Sequence, residues 1–322
     1  MQNKTEISIV VPMHNEEKCI KEFYLRATST LNTLRVSYQI VFVNDGSKDR
    51  TGEIIKKLSN KDPNILGIFL ARNRGQCTAI YAGLQHTNGR YVVIMDGDLQ
   101  HKPEEIPLLY NEIKKGFDFV SGGRRKRKES LIFRKIPSKI ANFLIRSITK
   151  CPVKDMGGFS CMSGEIARNL NLRAGQHRLL PALVFMMGGL VSEISVSAPK
   201  RFAGKSHYGI GRSIDVFFDI IMLWFQNSFK QRPLYLFGRV SLFLFFIASI
   251  LFGWVLYEKI FLQVDMGSRP PYLLSIFFYL CSFGFLAIAF ISEILSNISE
   301  SVNKTKPYVI RSIYKKSNSK KN

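Results

Sequence analysis

No Cys-x-x-Cys pair occurs in this 322-residue chain, and its five cysteines are odd in number. That argues against a disulfide framework or a zinc site and fits a reducing compartment. A signal peptide is not visible, because Met1–Glu6 is polar and the apolar run after it is short. Acidic residues are scarce. Only 24 Asp and Glu stand against 46 Lys and Arg, a formal net charge of +22 at pH 7. Such a surplus calls for an anionic partner, whether nucleic acid, anionic lipid or a phosphorylated substrate.

Charge is also missing from two long stretches, Val240–Tyr257 and Pro270–Ser292. A helix needs roughly 20 apolar residues to cross the hydrocarbon core. The first stretch reaches that length with the apolar Pro233–Phe237 upstream. Two spans are expected, at about 234–257 and 271–292, within a transmembrane region 233–298. The region before them and the tail 299–322 are basic, whereas the intervening loop is neutral, with Glu258, Lys259, Asp265 and Arg269. The positive-inside rule then places both termini in the cytoplasm. Two further stretches are apolar but interrupted. Residues 213–232 read as an interfacial juxtamembrane helix, and 131–148 as a basic amphipathic helix facing an anionic membrane surface.

What is present before residue 120 is alternation. Ile7–Val11, Tyr38–Val43, Ile65–Leu70, Tyr91–Met95 and Phe117–Val120 read as strands. Helices are expected between them at 15–34, capped by Asn15, then at 47–58, 76–84 and 103–114. Such alternation implies an α/β domain, residues 1–212, around a doubly wound, mainly parallel sheet. Sheets of this kind bind ligands outside the carboxyl ends of their strands. Three polar groups fall there: Pro12–Glu16, Asn44–Ser47 and Asp96–Gln100. Asp96-Gly97-Asp98 places two carboxylates one residue apart at a strand end. A hard divalent cation takes one or two such carboxylates and leaves its other positions to water and substrate phosphates.

Three motifs in order, Val10-Val11-Pro12-Met13-His14-Asn15-Glu16-Glu17, Val43-Asn44-Asp45-Gly46-Ser47 and Asp96-Gly97-Asp98-Leu99-Gln100-His101, resemble the inverting GT-A glycosyltransferases of family 2. With the twin spans the chain is similar to the polyprenyl-phosphate glycosyltransferases, the group of bactoprenol glucosyltransferase and dolichol-phosphate mannose synthase. The resemblance implies a GT-A catalytic domain, interfacial helices and two transmembrane helices, in the inner (cytoplasmic) membrane. It implies Pro12, His14, Glu16, Asp45, Asp96, Gly97 and Asp98 as donor contacts. Asp98, with Asp96 and Gln100, would hold Mg²⁺ or Mn²⁺. Arg124, Arg134 and Ser138 would meet the acceptor phosphate. Asp155, in Lys154-Asp155-Met156-Gly157-Gly158, matches the acid usually proposed as base. Arg201 matches the residue that neutralises the leaving diphosphate, and His207 stands where relatives carry lysine.

The implied partners are a nucleotide diphosphate sugar, with UDP favoured, a polyprenyl phosphate such as undecaprenyl phosphate, and the membrane. Nucleic acid is not expected, and self-association into a homo-oligomer stays open. Three alternatives remain. One is a non-lipid acceptor, and another a processive polysaccharide synthase, against which the missing Gln-x-x-Arg-Trp segment counts. The third is a membrane-anchored nucleic-acid binder, which gives no reason for acids at three strand ends.

Overall fold

The computed structural model describes residues 5–124, 145–155, 158–170, 172, 175–197, 233–263, 265, 270–302 and 310–314. It contains an α/β unit and a separate helical unit.

The α/β unit follows the sequence pattern closely. Strands β1 (Ile7–Met13), β2 (Tyr38–Asn44), β3 (Ile65–Leu70) and β4 (Tyr91–Ile94) alternate with helices α1 (Ile20–Thr33), α2 (Thr51–Lys61) and α3 (Gln76–Leu84). After α4 (Ile106–Ile113) come β5 (Phe119–Arg124), β6 (Ser160–Ser163), α5 (Gly164–Asn169), α6 (Leu180–Met186) and β7 (Val191–Val196). The sheet order is β7-β5-β6-β4-β1-β2-β3, with a further strand beyond β3 described below.

The pairs β1–β2, β1–β4, β2–β3 and β5–β7 are parallel. Strand β6 runs antiparallel between β4 and β5. The sheet is therefore mixed, although its central strands are parallel. Because β4, β1 and β2 lie side by side, their carboxyl ends, and with them all three polar groups, share one edge.

Both faces of β1 are buried, which is why it reads as an unbroken apolar run. Ile7, Ile9 and Val11 join Phe42 and the Phe23 and Leu31 of α1 in one core layer. Val10, Val41 and Val43 meet Ala79, Ile80 and Leu84 of α3 in the other. Each fully buried Ile, Val or Phe contributes about 1.5–3 kcal/mol. These two layers fix the strand ends that carry polar residues.

Three expectations change. Helix α1 starts at Ile20, and its N-cap position is Cys19, not Asn15. Helix α2 starts at Thr51, not Ser47. The basic tail contains a strand, β8 (Ile310–Tyr314), which adds antiparallel to β3 at the sheet edge. Ile310, Ile313 and Tyr314 are β-branched or aromatic, types that suit a strand better than a solvated tail.

The helical unit consists of α7 (Pro233–Leu262) and α8 (Pro270–Val302). Residues Leu234–Leu262 and Pro270–Leu295 are long and apolar enough to cross a membrane. Most of their large side chains, among them Phe243, Trp254, Phe277 and Phe290, face outward. The contact between them carries a reciprocal pair of hydrogen bonds. Ser241 Oγ donates to the Ser282 carbonyl at 2.8 Å, and Ser282 Oγ to the Ser241 carbonyl at 2.9 Å. Small hydroxyl residues allow close approach and keep polar groups paired in an apolar setting. The expected interfacial helix at 213–232, and all of 131–148 before residue 145, lie outside the described residues.

Candidate active site

The first two polar groups are stitched together by backbone amides. Asn15 adopts a left-handed conformation, φ 57°, which Asn tolerates better than most residues. Its amide donates to Ser47 Oγ at 3.0 Å, and its side-chain oxygen accepts from the Lys48 amide at 2.9 Å. The Glu16 amide donates to Thr51 Oγ1 at 2.8 Å, and the Glu17 amide to Asp49 Oδ2 at 3.1 Å. Asn15 therefore ties the loop after β1 to the loop after β2, which is why it does not cap α1. Within the second loop, Asn44 Oδ1 accepts from the Ser47 amide at 3.1 Å and closes a tight turn that delays α2.

Asp45 is 3% exposed. Its carboxylate accepts from the backbone amides of Arg74 at 2.7 Å and Gly75 at 2.8 Å, at the start of α3. The Asp45 carbonyl accepts from His14 Nδ1 at 2.8 Å. That bond puts the imidazole proton on Nδ1 and leaves Nε2 as an acceptor. The Asn73 carboxamide donates to Nε2 at 3.1 Å, and Asn15 Nδ2 lies 3.2 Å from it. His14 is thus exposed but oriented from three sides.

The third group sits beside the first. Gly97 packs on Met13, and a Cβ there would run into its sulfur. Glycine lets Asp96 and Asp98 project at the β4 end while the backbone passes close to β1. Asp96 Oδ1 accepts from Gln76 Nε2 at 2.7 Å, and its other oxygen lies against Gly158, 3.2 Å from where a Cβ would sit. Asp98 Oδ1 accepts from the Gln100 amide at 3.0 Å, across Leu99 in a left-handed turn. Burial, then Glu16, then Asp98 push the nearby Cys19 thiol up to about 11. It is neutral at pH 7 and unsuited as a nucleophile.

Among the described residues no three His, Cys, Asp or Glu side chains converge on a metal-sized site. A divalent ion held here would complete its shell from substrate and water. Asp98 and the Gln100 side-chain carbonyl are hard oxygen donors, the chemistry that suits Mg²⁺ or Mn²⁺.

Asp155 lies in the segment before β6. The Ser121 hydroxyl donates to its carbonyl at 3.0 Å, and its own amide donates to Glu193 Oε1 at 3.2 Å. The Lys154 amide donates to Glu193 Oε2 at 2.7 Å. Glu193 also fills the space over Gly123, where a Cβ would strike its carboxylate. Arg124 ends β5, but its side chain lies outside the described residues, as do Arg134, Ser138, Arg201 and His207.

Sequence reasoning passed over three polar residues. Asn73 lies in the loop after β3 and Gln76 opens α3, and the strand-end rule carried past Ile65–Leu70 would have reached them. Glu193 carries no local signal, since it sits mid-strand on β7.

The model of glycosyl transferase family 2 matches residues 8–167. Over 314 residues the chain is 31% identical to the dodecaprenyl-phosphate galacturonate synthase of Rhizobium johnstonii, covering 96% of this chain and 93% of that one. It is 30% identical, with the same coverage, to the undecaprenyl-phosphate 4-deoxy-4-formamido-L-arabinose transferase of Salmonella choleraesuis. Among solved structures, glucosyl-3-phosphoglycerate synthase from Mycobacterium tuberculosis superposes with a TM-score of 0.53 at 18% identity. That match covers 69% of this chain and 80% of the other. A second structure of that synthase, holding Mn²⁺, UDP-glucose and phosphoglyceric acid, gives a TM-score of 0.52 at 19% identity, over 69% and 79%. These two likenesses are of fold.

Proposed function

Since the chain belongs to glycosyl transferase family 2, we propose that it is an inverting glycosyltransferase of the inner membrane. It moves a sugar from a nucleotide diphosphate donor, with UDP favoured, onto a polyprenyl phosphate. The supporting observation is the near-complete alignment, spans included, with two enzymes named for polyprenyl-phosphate sugars. A soluble-acceptor enzyme would not need that shared C-terminal region.

The reaction is one in-line displacement. An oxygen of the polyprenyl phosphate attacks the anomeric carbon from the face opposite the diphosphate. The new carbon–oxygen bond forms as the bond to the donor diphosphate breaks, and the nucleoside diphosphate leaves with the electron pair. A phosphate monoester has its second pKa at about 6, so its oxygen is already a nucleophile at pH 7. Asp155 accordingly orients the acceptor rather than removing a proton. Arg124, Arg134 and Ser138 hold the acceptor phosphate, for which the rigid guanidinium fork is well shaped. Arg201 and His207 supply charge and hydrogen bonds to the leaving diphosphate.

On the donor side Pro12, His14, Glu16 and Asp45 hold the nucleoside, and Asp96 and Gly97 border the sugar diphosphate. Asp98, with Gln100, would hold Mg²⁺ or Mn²⁺, which when bound supplies positive charge to the diphosphate. Both termini lie in the cytoplasm, where nucleotide sugars are found, and the spans anchor the chain in the membrane that carries the acceptor.

The test supplies radiolabelled UDP-sugars and undecaprenyl phosphate to the full chain in detergent, followed by organic extraction. Label in the lipid phase is expected. Its absence with every UDP- and GDP-sugar tried would overturn the reading.

A further inference from the structure

The strand that follows both apolar helices borders a cavity. Four registered positions, Gly67↔Tyr314, Ile68↔Ile313, Phe69↔Ser312 and Leu70↔Ile310, dock β8 on the open edge of β3. The Tyr314 ring meets Phe69 edge-on at 5.1 Å between centroids. The Lys56 ammonium lies over both rings, 5.1 Å from Tyr314 and 5.6 Å from Phe69. Tyr314 is therefore held on two sides.

Next to it opens a cavity of about 940 Å³. Ser312 and Tyr314 line it together with His14 and Asn73. Lys48, Lys56 and Arg72 also line it, and among the described residues no acid does. Cations without acids select an anion, and aromatic faces select a planar ring. The volume suits a small-molecule ligand, for which pockets run to roughly 300–1,000 Å³. A nucleoside diphosphate combines both chemistries. His14, Asn44, Gly46 and Ser47 put the cavity at the carboxyl ends of β1 and β2, the sheet edge that also carries Asp96 and Asp98.

We propose that β8 is part of the donor site, with Ser312 and Tyr314 closing the outer wall of the space that takes the donor's nucleoside. This rests on the glycosyltransferase reading and adds to it a segment from the far end of the chain. Tyr314 offers a ring at low entropic cost because Lys56 and Phe69 already hold it. Ser312 offers a hydroxyl to ribose or base.

The experiment is calorimetric titration of the full chain in detergent, in the presence of Mn²⁺, with UDP, GDP, CDP, ADP and dTDP. Wild type should bind at least one of them. Tyr314→Ala should weaken that affinity about tenfold, as loss of one stacking partner does, while Tyr314→Phe stays close to wild type. A chain ending at Val309 should lose at least as much as Tyr314→Ala. Ile313→Ser, on the exposed side of the same strand, should leave affinity unchanged. In turnover, Tyr314→Ala should raise the donor KM and leave the acceptor KM alone. Wild type that binds no member of the panel, or unchanged affinity in both Tyr314→Ala and the truncated chain, overturns the inference. If the wild type binds a nucleotide but transfers no sugar to the lipid, the proposed reaction fails instead, and the titrations still decide the role of β8.

Discussion

Ser121 and Glu193 stand opposite each other in the parallel β5–β7 pair and grip the two ends of one residue, Asp155. The Ser121 hydroxyl takes its carbonyl and the Glu193 carboxylate its amide. A second Glu193 oxygen takes the Lys154 amide. The position of the acid is thus set by the sheet rather than by its own loop. Glu193→Ala should lower kcat about 10- to 100-fold, the scale of a misplacement near 1 Å. The donor KM should barely move. Steady-state kinetics with both substrates varied reads the split, and a change confined to donor KM would contradict it.

Asp98→Ala should abolish transfer and make nucleotide binding indifferent to Mn²⁺. Isothermal titration with and without the ion decides this. Retained Mn²⁺-dependent binding would move the metal off Asp98.

Gln76 donates to Asp96 across 2.7 Å. Gln76→Glu replaces that donor by a second carboxylate and should raise donor KM more than Gln76→Ala does. Equal effects of the two variants would show that charge at Asp96 is not what Gln76 governs.

Arg134→Ala should raise the acceptor KM more than the donor KM, since the proposed contact is to the acceptor phosphate alone. Kinetics with polyprenyl phosphate varied at saturating donor tests it, and the reverse pattern would reject the assignment.

Asp49 gives a pH prediction. Burial acts to raise its pKa, but hydrogen bonds from the Thr51 hydroxyl and amide and from the Glu17 amide outweigh burial and lower it. A depressed carboxylate pKa contributes stability that is present above its unfolded value, about 4, and lost as pH falls through the folded value. Asp49→Asn should therefore cost about 1 kcal/mol at pH 7, with wild type and variant converging once the pH falls below the folded value. Thermal melts across pH 2.5–7 would show it, and a constant gap would refute it.

The chain announced its parallel half because β1 to β4 are buried on both faces and so carry unbroken apolar runs. Their carboxyl ends then pointed to His14, Asp45, Asp96 and Asp98. Strands β6, β7 and β8 escaped notice for a shared reason. Each is short or edge-placed, with polar residues such as Ser160, Ser163, Ser192 and Ser312 that dilute the pattern. Asn15 looked like a helix cap because Asn usually is one near acids. Its side chain is occupied instead by a loop 33 residues away, which no local rule reveals. Glu193 was illegible for the same reason, since its partners belong to another strand and another loop.

Strand β8 has a consequence for biosynthesis. Translation supplies β3 early and β8 only after both apolar helices have been made. Long-range pairing of this kind closes slowly. Until it does, β3 presents an open edge able to pair with another nascent chain. Completion of the sheet is thereby made to wait for the two apolar helices, so that an enzyme whose helices fail to emerge is also one whose sheet stays unfinished.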